Sequence, residues 1–252
     1  MTTKNQYFRG RGDAKLARLD ADGKPLGFRI VGDCSELKLE ATVETAEHVE
    51  SQSGYDMTDL KFITSKKLKV TLTLDSFDDE NLALAMYGNI TEDTGTGTFT
   101  QVLNGPFEKG LSYKFGNTGY TITSVTDADD EVIPASGYKV YADGTVSFLD
   151  AAAITGPVTI AGNKAASTSV SLMGAGMQNL ALLVNGLNTV NGNSPVIVMI
   201  NRLSFDPASG GIDVFGKDLG KLTITGEALY DPNDAAGSAI MAGFGSITRP
   251  KA

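Results

Sequence analysis

Residues 66–88, KKLKVTLTLDSFDDENLALAMYG, join two opposite periodicities at one sharp boundary. Leu68, Val70, Leu72 and Leu74 alternate with Lys67, Lys69, Thr71 and Thr73, the period of two of a strand with one buried and one wet face. At Ser76 the pattern changes to Phe77, Leu82, Ala83, Leu84, Ala85 and Met86, which reads as a short amphipathic helix. Ser76 and Asp79 have the spacing of a capping box, and Gly88 stands where such a helix would end. A long polar-faced strand feeding a short helix is therefore expected, and the rest of the chain is organised around it.

A chain of 252 residues buries a substantial core and accommodates one large β domain or two smaller ones. With 29 glycines, abundant threonine, no tryptophan and few long helical runs, the expected class is mainly β with many turns. The formal charge of −9 argues against a surface that grips nucleic acid, because phosphate binding needs a basic stripe. Cys34 is the single cysteine, so no intrachain disulfide and no paired-thiol metal site is expected. The first residues carry no apolar core of signal-peptide length, and no run approaches a membrane span, so synthesis in the cytoplasm without membrane insertion is expected.

Taken in order, AKLARL (residues 14–19), the turn DADGKP and LGFRIVG predict an N-terminal hairpin. The RGD at residues 11–13 matches an adhesion tripeptide, but three residues recur by chance and nothing else points to secretion. Leu37, Leu39, Ala41 and Val43 then alternate with Lys38, Glu40, Thr42 and Glu44, a second one-sided strand. Between Thr45 and Lys61 the alternation dissolves, and a long charged loop is expected. After Gly88, TEDTGTGTF reads as a flexible surface loop. Residues 105–164 read as a separate small β unit, with strands at 111–115, 119–126, 138–141, 145–149 and 157–160 and the spacing of a compact immunoglobulin-like sandwich. Residues 1–104 and 165–252 then form the two halves of the larger domain. Its second half holds PVIVMINRLSFDP, covered on both faces, and GKLTITGEALYDPND, where Leu222, Ile224 and Ala228 oppose Lys221, Thr223, Thr225 and Glu227.

The residues of catalysis are scarce. His48 is the only histidine and lies far in sequence from Cys34, so neither a histidine-based triad nor a zinc site can be assembled. The carboxylates of Asp78, Asp79 and Glu80 belong to a helix first turn, where the dipole accounts for them. DADDEV at residues 127–132 lacks the spacing of an EF-hand and reads as a turn. The glycines of GTGTF and MGAGMQ form no phosphate-binding fingerprint. No enzyme activity, catalytic residue, metal or cofactor is expected.

ELKLEATVET, the charged loop after it, the KLKVTLTLDSFDDENLALAMYG unit and the late pair PVIVMINRLSFDP…GIDVFGKDLGKLTITGEALYDP together resemble the bacteriophage tail tube (major tail protein) family. The resemblance is one of pattern, covers about two thirds of the chain and leaves residues 105–164 outside. It implies a tail-tube β-sandwich or barrel with one short flanking α-helix and an inserted small β subdomain. It also implies stacked homo-hexameric rings forming a hollow tube for DNA passage, a place in the virion after assembly in the host cytoplasm, and tape measure, tail terminator and distal tail proteins as partners. Under this resemblance Lys38, Glu40, Thr42, Glu44, Lys69, Thr71, Thr73, Thr223, Thr225 and Glu227 are candidates to line the lumen. None is aromatic, so none offers bases a stacking platform, and DNA would pass without sequence-specific binding. His48, Glu50, Gln52, Tyr55, Asp56, Met57 and Asp59 are candidates for a ring-stacking loop, and open sheet edges would be used in ring closure.

Two alternatives remain at this point. A contractile or pyocin-like tail would add an outer sheath, which an inserted domain on the tube's outside would obstruct. A surface-binding module, recognising carbohydrate or a receptor through Tyr113, Tyr120, Tyr138 and Tyr141, is the other; the plainer reading is that these tyrosines pack the small unit.

Overall fold

A computed structural model describes residues 7–51, 54–190, 192–207, 211–212, 219–231 and 243–249. The chain divides into two compact units, one made of Met1–Asn89 with Val170–Ala252 and the other of Ile90–Ser169. The limits 105 and 164 expected for the small unit both fall inside the second. The strands of the first segment are β1 (Gly10–Leu19), β2 (Pro25–Ile30), β3 (Cys34–Val49) and β4 (Thr58–Leu74), followed by helix α1 (Asp79–Ala85). The second unit carries β5 (Ile90–Thr94), β6 (Thr98–Leu103), β7 (Tyr113–Lys114), β8 (Thr121–Thr126), β9 (Tyr138–Val140), β10 (Thr145–Phe148), β11 (Val158–Asn163) and all but the last residue of β12 (Ala166–Val170). The chain then continues through β13 (Asn179–Asn188), β14 (Ser194–Phe205), β15 (Leu222–Ala228) and β16 (Gly245–Thr248). The fold is mainly β, with antiparallel pairing throughout the described ladders.

In the first unit one sheet runs in the order β2-β1-β13-β14-β15-β4-β3, with β16 beside β14. The hairpin expected at the N-terminus is present as β1–β2, and RGD lies inside β1, paired with Asn185, Gly186 and Leu187 of β13 rather than displayed in a loop. Gly12 is required there by proximity, since a Cβ on it would sit 2.2 Å from the Asn185 carbonyl oxygen. Ala14 and Leu16 of β1 share one apolar cluster with Leu72 of β4, and Leu37 and Leu39 of β3 pack against it. In a flat sheet β1 and β3 would stand roughly 24 Å apart at about 4.8 Å per strand. The sheet therefore bends around its apolar face. Leu72, Leu74, Leu222 and Ile224 are fully buried in this cluster, each contributing about 1.5–3 kcal/mol by leaving water.

Helix α1 starts two residues later than expected and is capped differently. Asp78, not Ser76, is the N-cap, and its carboxylate accepts from the Asn81 backbone N–H at 2.7 Å. At the other end Tyr87 takes the positive φ of 47°, while Gly88 is needed because a Cβ would lie 2.3 Å from the Ser171 carbonyl oxygen. Asn81, wholly buried, donates through Nδ2 to the Val31 carbonyl at 2.8 Å and accepts from Arg29 Nη2 at 2.9 Å. Glu80 adds an ion pair to Arg29 Nε at 2.6 Å. The buried amide thus ties the helix to the end of β2. Asn81→Ala is expected to cost about 1–3 kcal/mol, the penalty for leaving a buried acceptor unpaired, read as a lower denaturant midpoint at unchanged slope.

In the second unit two three-stranded sheets, β7-β10-β9 and β6-β11-β8, contribute to one core built on Phe107, Phe115, Phe148, Val125, Val158 and Ile160. All five strands expected here have counterparts, with ends that differ by at most three residues. The TEDTGTGTF stretch is not a loop, because β5 and β6 occupy most of it. Tyr120 Oη donates to Asp93 Oδ2 at 2.8 Å, the Gly95 N–H donates to Oδ1, and the Lys164 ammonium stands 3.8 Å away. These contacts, Tyr120 first, hold the Asp93 carboxyl below its ordinary 3.8. A carboxyl depressed by folding stabilises the fold above the unfolded value and loses that contribution as pH falls through the folded one. Tyr120→Phe is therefore expected to shrink the fall in melting temperature between about pH 6 and about pH 3, although Asp143, lowered by Thr145, keeps its share.

Candidate functional site

The register of three neighbouring strands gathers the lumen candidates on one face. Lys38 pairs with Thr71, which pairs with Thr225; Glu40 pairs with Lys69, which pairs with Glu227; and Glu36, Thr73 and Thr223 form a third row. Residues directly opposite in an antiparallel ladder share a face, so the rows make a continuous polar surface backed by Leu37–Leu72–Ile224 and Leu39–Val70–Gly226 on the other side. Lys38 Nζ meets Glu40 Oε1 at 2.5 Å along the strand. Glu40 lifts the Lys38 ammonium above its usual range, and Lys38 holds the Glu40 carboxyl below its own, so both stay charged at neutral pH. Glu36, Glu40, Glu44 and Glu227 stand against Lys38, Lys67 and Lys69, so the surface carries both signs in near balance.

Exposure is uneven along it. Lys38, Thr42, Glu44, Lys69 and Glu227 are exposed, whereas Glu40, Thr71, Thr223 and Thr225 are half-buried. Thr73 is buried, its Oγ1 3.4 Å from that of Thr223. Thr73 is thus the candidate that presents least to solvent.

The stretch expected to be a long charged loop is mostly strand. β3 and β4 pair from Cys34–Leu74 out to Val49–Thr58, and only residues 50–57 remain as the connection. β15 accompanies β4 only from Leu74 to Leu68. Beyond that point the hairpin continues as a two-stranded ribbon. His48 and Asp59, assigned to the loop, lie on its two strands with Nδ1 and Oδ1 2.7 Å apart; Glu50, Tyr55, Asp56 and Met57 belong to the connection, and Gln52 lies outside the described residues. Lys61–Glu47 and Lys67–Glu44 add ion pairs across the ribbon at 2.8 and 3.3 Å. These exposed pairs are each worth well under about 1 kcal/mol.

What sequence reasoning missed here is apolar. Val43, Val49, Met57, Leu60, Phe62 and Ile63 are all exposed on the ribbon or its tip, with Met57 at 57% and Leu60 at 55%. A two-stranded ribbon has no layer to cover either face, so side chains that would be core elsewhere meet solvent. The signal was present in LKFI at residues 60–63, but bulges between Glu44 and Thr45 and between His48 and Val49 shift the phase and break the period of two.

Elsewhere the chemistry is sparse. Burial pushes the Cys34 thiol up, aided by Asp75, Asp33 and Glu36 and opposed by a hydrogen bond to the Glu36 carbonyl, so it is a weak nucleophile at neutral pH. Among the described residues no group of three His, Cys, Asp or Glu side chains is placed to hold a metal. Asp127 Oδ1 accepts the N–H groups of Asp129 and Glu131, closing the DADDEV turn on itself. Of the tyrosines, Tyr113 packs on Phe107 and Phe148, Tyr120 on Phe99, and Tyr138 against the same core; Tyr141 alone of the four is exposed.

Comparison with known proteins adds a family but no activity. No curated protein gives a significant match. The model of the family described as "Protein of unknown function UCP028589" matches residues 7–248, nearly the whole chain, and the protein belongs to that family.

Proposed function

We propose that the chain is a structural subunit that assembles with copies of itself into stacked hexameric rings, forming the hollow tube of a phage tail through which DNA passes. The observation that carries this reading is the β3–β4 hairpin, which serves two surfaces at once. Its inner half contributes a mixed-charge polar face free of aromatic residues, and its outer half leaves the sheet as a ribbon with exposed apolar side chains. A balanced polar wall holds DNA weakly, because affinity for phosphate comes from an excess of cationic contacts. The ribbon is the kind of surface that monomers seldom expose and that partners cover. The outermost strands of the sheet, β2 and β3, offer edges for lateral pairing between subunits. Tape measure, terminator and distal tail proteins enter as partners through the family resemblance alone.

Negative-stain microscopy of the concentrated purified protein tests the proposal. Uniform rings or hollow rods are expected; a protein that sediments as a monomer at every concentration would falsify it.

A further inference from the structure

Resting on that reading, we propose that a cleft beside the β1–β2 turn receives the tip of the β3–β4 ribbon from a second copy of the chain. Two adjoining cavities, of about 680 and 530 Å³, share the turn residues Ala21–Gly23 and Asp231 in their walls. They lie against the part of β14 where Asn201 and Arg202 form a bulge opposite Ala181. There β14 also changes its outer neighbour, from β16 along 197–200 to β15 along 203–205. Bulges re-aim side chains, and this one brings Asn201 to a cavity wall.

The polar groups in the walls are incomplete. Asn201 is only 6% exposed, yet its Nδ2 has no partner, and the Oδ1 of Asn179, on the neighbouring strand, is buried without one as well. An unmet donor and an unmet acceptor are what a peptide group supplies in reverse. Arg18 and Arg202 line the larger cavity, and neither forms an ion pair among the described residues. Two guanidiniums call for a carboxylate. Asp20, by contrast, already accepts the N–H groups of Asp22 and Lys24 within its own turn. With Asp22 and Asp231 also present, a polyanion is repelled, and a neutral backbone carrying one carboxylate fits best. Among the described residues no aromatic side chain lines either cavity, so a sugar or a base finds no stacking face there.

The ribbon tip has this chemistry. Tyr55, Asp56 and Met57 are exposed, and Asp56 presents its carboxylate from a turn in which it and Gly54 adopt positive φ angles of 49° and 76°. The sheet register then sets the geometry. Arg18, Leu180, Leu203, Ala228, Leu68 and Ala41 form one row across the strands. The ribbon leaves on one side of the row, and the β1–β2 turn lies on the other. The cleft straddles the row, with Asn201, Arg202 and Asp231 on the ribbon's side of it and Asp20–Gly23 on the other, whereas the ribbon tip lies far beyond it; donor and acceptor are therefore different surfaces, and their contact is head-to-tail, repeating from copy to copy.

Charge exchange in the full-length chain tests this, read by sedimentation velocity with circular dichroism as the check on folding. Asp56→Arg alone, and Arg18→Asp with Arg202→Asp, are each expected to weaken association at least tenfold, and the three together to restore it. Asn201→Leu, which removes the unmet donor, should raise the melting temperature of the isolated subunit and still weaken association. If the cleft variants assemble like the parent while shortening the ribbon abolishes assembly, the cleft is the wrong receptor and the self-assembly reading stands. A parent chain that stays monomeric overturns both.

Discussion

Leu72→Asp is expected to yield no soluble folded protein, while Thr71→Phe, one residue away, should fold almost as well as the parent. Leu72 is fully buried between Leu37 and Ile224 in the ladder and belongs to the main apolar cluster. Removing its side chain costs about 2–5 kcal/mol, and an unpaired carboxylate in its place costs several more. The sum matches or exceeds the whole stability of an ordinary domain, about 5–15 kcal/mol. Thr71 occupies the opposite face, half-buried between Lys38 and Thr225, where substitutions away from a packed core stay within about 1 kcal/mol. Under the tube reading Thr71→Phe narrows the channel, which class averages of the assembled rods would resolve. Soluble Leu72→Asp alongside insoluble Thr71→Phe would reverse the face assignment.

Replacing residues 43–66 by Asn-Gly is expected to abolish assembly and leave the fold in place. Thr42 and Lys67 face each other in the ladder, and a two-residue Asn-Gly turn closes an antiparallel pair with the twist that strands prefer. The removed residues include Val43, Leu60, Phe62 and Ile63, none of them buried in the core, so the melting temperature should move by only about 2–4 °C. Light scattering and microscopy of the shortened protein at high concentration read the outcome. Rods of normal length would remove the ribbon from any role in stacking.

The parts of the fold legible in the sequence were those whose period was clean. Residues 68–74 and 222–228 announce their faces by alternation, and the ladder between them pairs Leu72 with Ile224 and Thr71 with Thr225 as that alternation requires. The hairpin turn DADGKP was readable because Asp20 and Gly23 have local jobs, the one capping two N–H groups and the other taking φ of 81°. Residues 45–61 were misread because two bulges shift their phase, and local pattern cannot distinguish a bulged ribbon from a polar loop. The helix cap was misplaced by two residues because Ser76 and Asp78 both suit the position, and the choice fell to Asn81, whose amide must reach the Val31 carbonyl.

The sequence by itself determined the class, the two-faced strands, the acidic charge balance and the scarcity of reactive side chains, since each follows from residue type and nearest-neighbour period. Only the tertiary structure decided that β3, β4 and β15 are adjacent, so that ten scattered candidates fall on one surface, with Thr73 largely covered. It alone decided where the ribbon parts from the sheet and which buried amides are left without partners. The physical reason is that strand order, register and the covering of one face by another arise from contacts between residues far apart in the chain. No local period encodes them.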